Sequence, residues 1–185
     1  MDVAARPLTY SSPGAPAPGE ETWAPPAGFR AHERTVPVGS GDARWEKLRE
    51  AVLGWGVKVR SGFDVEPVDG AGLRVAEGRT FLLHARLGPL TVREPVRVVA
   101  VVEQDRRCGF AYGTLTGHPV SGEEAFVLTR DGSGAIALTL RSLTRAGHGP
   151  WRPVFPALLV AQRLYRRRYE RALLRPPGDP SHSAA

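Results

Sequence analysis

The sequence predicts an α+β fold in which a curved antiparallel sheet of six to seven strands wraps around one long C-terminal helix. Three observations carry that prediction. Short β-like runs joined by turn chemistry fill residues 57–145. A broad apolar arc at helical spacing follows at 155–173. The links between consecutive strands are too short for parallel crossovers, which need about a dozen residues or more. A sheet with one face to bury and a helix with one arc to bury satisfy each other by packing together.

The chain has 185 residues, 42% of them hydrophobic and 24% charged. That is ordinary globular composition at the length of one domain. The division expected is a Pro/Gly-rich arm at 1–28, one domain at 29–175 and a disordered tail at 176–185. The arm is poor in apolar residues, and Ser11 to Pro26 reads as weakly ordered. Tyr10 and Trp23 stand out there as two points at which it can pack onto the body.

His32–Val38 is a short β-like run, with Pro37 placing it near an edge. Ser40 or Asp42 can then cap a helix over Ala43–Trp55, whose Trp45, Leu48, Val52 and Trp55 form one stripe. Gly54 and Gly56 end it. The strands expected next are Val57–Arg60, Leu73–Ala76, Thr80–Leu87, Leu90–Val102, Cys108–Leu115, Ala125–Arg130 and Ala135–Leu143. Turns at Asp69-Gly70, Glu77-Gly78, Gly88-Pro89, Asp105-Arg106 and Asp131-Gly132-Ser133-Gly134 separate them. Pro95 interrupts the longest run, which is expected to bend, bulge or lie partly on an edge. In the terminal helix Phe155, Leu158, Leu159, Ala161, Gln162, Tyr165, Tyr169, Ala172 and Leu173 share one arc, with Arg163, Arg167 and Arg171 opposite. Pro176 and Pro177 stop it.

The net charge is +6. Residues 151–175 hold seven arginines against one acid, Glu170, so this segment carries the whole excess. Lys47 and Lys58 are the only lysines, and the arginine, alanine, glycine and proline usage matches the bias of a GC-rich genome. No aromatic series interleaves the arginines, so nucleic-acid binding is not expected. No apolar run approaches the ~20 residues that cross a bilayer, and no apolar stretch opens the chain as a secretory signal does. A cytoplasmic protein without integral membrane association is expected. Weak contact with an anionic membrane through Arg163, Arg167 and Arg171 stays open, with Trp151 and Phe155 as interfacial anchors. The single cysteine, Cys108, excludes an internal disulfide. No metal site or cofactor is expected, because no His/Cys spacing suits a metal.

The order strand, helix, strands, long helix is that of the helix-grip fold, similar to START-like and Bet v 1-like proteins. One stretch is distinctive: Gly109-Phe110-Ala111-Tyr112-Gly113-Thr114-Leu115-Thr116-Gly117-His118-Pro119-Val120-Ser121-Gly122-Glu123-Glu124-Ala125-Phe126. It resembles the signature of the DUF1990, or UPF0548, family of uncharacterised bacterial and plant proteins. Leu8-Thr9-Tyr10, Pro26-Ala27-Gly28-Phe29 and the Gly39…Trp45…Trp55 helix resemble that family's opening. The likeness runs from about Tyr10 to Leu174. It implies no assigned activity and hands over no catalytic residues.

Two function classes follow from the residues themselves. The first is a binding module for a small hydrophobic molecule or lipid, held between sheet and terminal helix. Its candidate wall is Phe110, Tyr112, Leu138, Gln162, Tyr165 and Tyr169, joined by Leu82, Val98, Phe126, Leu140 and Leu158. The second is a hydrolase or proton-transfer enzyme. There His118 in the Thr116–Glu124 loop works with Glu123 or Glu124, since a histidine beside a carboxylate suits general base catalysis. The competing structural reading makes that loop a long hairpin whose polar groups satisfy the backbone. His84 reads as a hydrogen-bonded strand histidine, and Cys108 as a buried small hydrophobe.

Overall fold

The computed structural model describes residues 2–87, 90–147, 153 and 155–174. The expected tail 176–185, the Gly88-Pro89 turn, Trp151, His148 and His182 lie outside them. Seven strands form one antiparallel sheet: β1 (Arg30–Ser40), β2 (Phe63–Pro67), β3 (Thr80–Leu87), β4 (Leu90–Glu103), β5 (Arg107–Thr114), β6 (Val120–Arg130) and β7 (Ala135–Ala146). Helices α1 (Asp42–Leu53) and α2 (Gly56–Val59) stand between β1 and β2, and α3 (Phe155–Ala172) follows β7. The spatial order is β1-β7-β6-β5-β4-β3-β2. Every strand pairs with its chain neighbour except β1, which crosses over to the far edge and pairs with β7. This is the helix-grip architecture.

Three local expectations are corrected. Val57–Arg60 is not a strand. Trp55 takes the left-handed region (φ 63°, ψ 18°), and the chain then makes the single helical turn α2. The Val57/Val59 alternation mimicked a strand, but the backbone at Gly56 passes so close to α1 that a Cβ would stand 2.5 Å from the Ala51 carbonyl oxygen. Leu73–Ala76 is irregular, and the strand at the β2 edge is Phe63–Pro67 instead. Finally, the loop expected over Thr116–Glu124 is shorter, because β6 begins at Val120. Ser121 and Gly122 are poor strand formers, yet the β6–β7 ladder runs through both. A Cβ at Gly122 would stand 1.8 Å from the Leu143 carbonyl oxygen, so this approach admits only glycine.

Pro95 lies in a central strand without breaking the ladder. Its carbonyl accepts the Leu115 N–H (2.9 Å), so its ring nitrogen faces the same side, beyond the end of β5, where no donor is required. The bulge in this strand falls later, between Val98 and Ala100.

The inner face of the sheet is divided between two tenants. Helix α1 covers one half with Trp45, Leu48, Val52 and Leu53. Trp55 completes that half, 4.7 Å from Phe110, 4.9 Å from Phe81 and 5.2 Å from Tyr112 between ring centroids. Helix α3 covers the other half, with Tyr165 (9% exposed), Tyr169 (3%) and Ala172 turned in. Beneath α3 the strands present small or polar residues, among them Ala85, Thr114, Ser142 and Thr144. The aromatic half fills itself; the half under α3 does not.

The arm at 2–28 lies against the outer face of the sheet. Arg141 donates to the carbonyls of Pro16, Ala17, Glu20 and Glu21 (2.8–3.1 Å) and to Glu33 (2.8 Å). Trp23 donates to Ala15 and stacks under Arg141, and Tyr10 meets Phe29 edge-on. Both arm aromatics are thus contact points.

Candidate functional site

Between α3 and the sheet lies a cavity of about 100 Å³. Phe63, Ala85, Val92, Leu143, Leu158 and Ala161 supply its apolar wall, and Tyr112, Gln162, Tyr165 and Tyr169 add polar tips. Those four, and Leu158, were expected there from sequence. Phe110 and Leu138 were expected on the wall and are not; both are packed in the core away from the cavity. Val98, Phe126 and Leu140 likewise belong to the core. Leu82 faces the other way altogether, because β3 turns Phe81, Leu83 and Ala85 inward.

A buried charge pair closes one end. Lys58 Nζ lies 2.8 Å from Glu124 Oε2 and donates to the Tyr169 hydroxyl at 2.7 Å. The Tyr112 hydroxyl donates to the same Glu124 oxygen at 2.5 Å. Tyr112 and Glu124 sit directly opposite each other across β5 and β6, so the strand register itself sets this contact. The ammonium is 3% exposed by residue and also faces the rings of Phe63 (4.4 Å), Tyr169 (4.7 Å) and Tyr112 (5.2 Å). Such a cation is held by its carboxylate and by ring faces together. Burial, and then the Glu124 charge, pushes both tyrosine hydroxyls well above their ordinary range.

His118 and Glu94 stand elsewhere on the same wall. His118 Nδ1 sits against the Val120 backbone, 3.0 Å from its carbonyl oxygen and 3.1 Å from its amide nitrogen. Nε2 lies 3.7 Å from Glu94 Oε2. Burial, reinforced by Lys58, lowers the imidazole to about 3. Burial raises the Glu94 carboxyl to about 7, with Lys58 opposing and Glu124 adding to the shift. Around neutral pH the imidazole is neutral, and the Glu94 carboxyl passes between its protonated and ionised forms.

The expected partnership of His118 with Glu123 or Glu124 is therefore redrawn. Glu124 is engaged by Lys58 and Tyr112. The carboxylate of Glu123 turns to the outer face, where the Gly14 N–H donates to both its oxygens (2.9 and 3.1 Å) and burial raises it to about 7. Strand alternation separates the two: Glu124 shares the inner face with Phe126 and Leu128, and Glu123 the outer face with Ala125 and Val127. Among the described residues, the carboxylate within 4 Å of His118 is that of Glu94.

Sequence reasoning missed Glu94 and Lys58, and a signal existed for each. Val92, Glu94, Val96 and Val98 alternate on one face of β4, so Glu94 is an acid on an apolar stripe. Lys58 is one of two lysines among 25 basic residues, where arginine is the habitual choice.

Outside the cavity, His84 bonds Glu66 at 3.0 Å on the outer face. Cys108 is buried, and burial raises its thiol to about 11. Arg163, Arg167 and Arg171 are exposed on α3, as are Val160 and Leu164 (56% each). No helix of the described residues is long and apolar enough to cross a membrane. Among the described residues, no group of three or more His, Cys, Asp or Glu side chains could hold a metal.

A UPF0548 protein of Deinococcus radiodurans is 34% identical over 177 residues, covering 89% of this chain and 88% of its own length. A UPF0548 protein of Arabidopsis thaliana is 29% identical over 154 residues, covering 80% and 73%. The hypothetical protein jhp0584 of Helicobacter pylori matches with TM-score 0.54 over 79% of this chain and 85% of that one, at 11% identity, which shows a shared fold. The family model described as a domain of unknown function, DUF1990, matches residues 9–172, nearly the whole of the arm, sheet and helix described above. The chain belongs to the DUF1990 family.

Proposed function

We propose that this protein is a cytoplasmic binding module that takes up a small, largely apolar molecule in the cavity between α3 and the sheet. The observation that carries this reading is the lining: apolar walls with a few polar groups converging at defined points, as ligand sites generally have. The volume narrows the occupant. At about 100 Å³ the space is smaller than the about 300 Å³ at which drug-sized pockets begin, and nearer the about 150 Å³ of cavities that hold one benzene. A compact ring or short chain suits it better than a full lipid tail. Titration with phenol and hexan-1-ol, followed by NMR, tests the reading. Saturable shifts that vanish in Ala161→Phe, which fills the cavity from α3, are expected. Shifts that do not saturate, or that persist unchanged in that variant, would remove the proposal.

A second reading rests on Glu94 and His118. A carboxyl that titrates near 7 beside a neutral imidazole, both lining one cavity, suits proton transfer to or from a bound molecule. Solvent-deuterium exchange into bound carbonyl compounds checks it: exchange should fall in Glu94→Gln while binding persists. Exchange equal in both proteins would dismiss it.

A further inference from the structure

A second concavity opens beside the cavity, between β1 and α3. It is a groove of about 300 Å³ lined by Arg30, Ala31, Leu159, Gln162, Arg163 and Arg166. Gln162 also lines the cavity, so the two spaces share a wall. The register explains the assembly. Arg30 pairs with Thr144 and His32 with Ser142 across β1 and β7. From above, Gln162 donates to Thr144 Oγ1 (2.9 Å) and Arg166 to Ser142 Oγ (2.7 Å). These two bonds fix α3 over the sheet edge and hold the guanidinium of Arg166 in place.

The groove concentrates positive charge without neutralising it. Among the described residues, Arg30, Arg163 and Arg166 have no carboxylate within 4 Å; Glu170, one turn further along α3, forms no ion pair with them. Burial holds the Arg166 guanidinium below its ordinary pKa; the Glu124 charge opposes that shift, and Arg163 and Arg30 add to it. One nitrogen of this lining, Arg166 Nε, is buried with no hydrogen-bond partner among the described residues. Buried donors and charges are normally paired, so an unpaired guanidinium nitrogen beside two further arginines without carboxylate partners suits an added acceptor. Guanidinium forks match the geometry of carboxylate and phosphate oxygens.

We propose that the groove of Arg30, Arg163 and Arg166 binds the oxyanion end of an amphipathic small molecule whose apolar part enters the adjoining cavity. The inference rests on the binding role proposed above and specifies the ligand class: a compact apolar body ending in a carboxylate or phosphate. Gln162 marks the boundary, since it faces both halves.

The test compares hexanoate, hexyl phosphate and hexan-1-ol by calorimetric titration on the full chain. Both anions should bind at least about tenfold tighter than the alcohol in dilute buffer, and the preference should shrink with salt. The Arg30→Gln/Arg163→Gln double variant changes two exposed side chains, so it should fold normally. It should bring the anions to within about twofold of the alcohol while leaving the alcohol's affinity unchanged. Anions that bind no tighter than the alcohol, or a preference that survives in the double variant, overturn this inference and leave the cavity reading standing. If none of the three probes binds, the cavity reading falls and this one with it. Binding seen only to phosphatidylglycerol vesicles, and to neither soluble anion, places the oxyanion on a membrane surface and also overturns it.

Discussion

Lys58 and Glu124 form an ion pair of 2.8 Å inside the wall of the cavity, with Tyr112 and Tyr169 bonded to its two ends. Each charge is tolerated there because the other is present. Removing one partner leaves a buried charge uncompensated, which typically costs about 3–5 kcal/mol, whereas removing both can cost far less. Lys58→Met and Glu124→Gln should each lower unfolding stability by about that amount in urea titrations, and Lys58→Met/Glu124→Gln should recover part of the loss. Additive losses in the double variant would contradict the pairing.

Glu94 gives the cavity wall a pH dependence of known sign. Its carboxyl is raised from 4.5 to about 7 on folding. Between those values the folded state holds a proton that the unfolded chain has released, so this group's contribution falls as pH rises. Glu123 acts in the same direction. His118, lowered from 6.5 to about 3, acts in the opposite one, its contribution rising with pH across that window. Glu94→Gln removes one term cleanly. Relative to the parent chain it should gain stability, on the order of 2 kcal/mol, as pH is raised from 4.5 to 7.5. A difference that stays flat across that range would show that Glu94 ionises normally.

Gly113 holds a place for the arm. A Cβ there would stand 1.8 Å from the Tyr10 hydroxyl oxygen and 2.9 Å from Leu8 Cδ2. Gly113→Ala should therefore lift residues 8–14 off the outer face. Limited proteolysis should show faster cleavage before residue 20, and stability should drop by about 1–3 kcal/mol as in other overpacked sites. Unchanged protection of the arm would refute the contact.

Cys108 should be inert in the folded protein. Its sulfur is buried, its thiol is raised to about 11, and the thiolate is the reactive species. A disulfide exchange reagent at pH 8 should modify it only after denaturant is added. Rapid modification of the native chain would mean that this strand end opens locally.

Much of the architecture was legible in the residues alone. The apolar arc from Phe155 to Leu173, the stripe from Trp45 to Trp55 and the alternation of β3 to β7 follow from side-chain periodicity, which is local information. The Gly109–Phe126 stretch and its relatives placed the family. The sequence also located His118, Glu124, Tyr112, Gln162, Tyr165 and Tyr169, all of which line the cavity.

Only tertiary structure decided what these groups do to one another. Glu123 and Glu124 look equivalent in the chain, yet the pleat sends one to the arm and the other to Lys58. Lys58 enters the site because the chain turns through a left-handed Trp55 into α2, a path that the alternation around Val57 does not show. Glu94, on β4, meets His118, in the turn between β5 and β6, by a contact that neither local pattern shows. Whether the interior is filled or open depended on which strand halves carry small residues beneath α3, a matter of register between elements. Periodicity says which face is buried; contact between distant elements determines which buried groups share a space, and that sets their charge and chemistry.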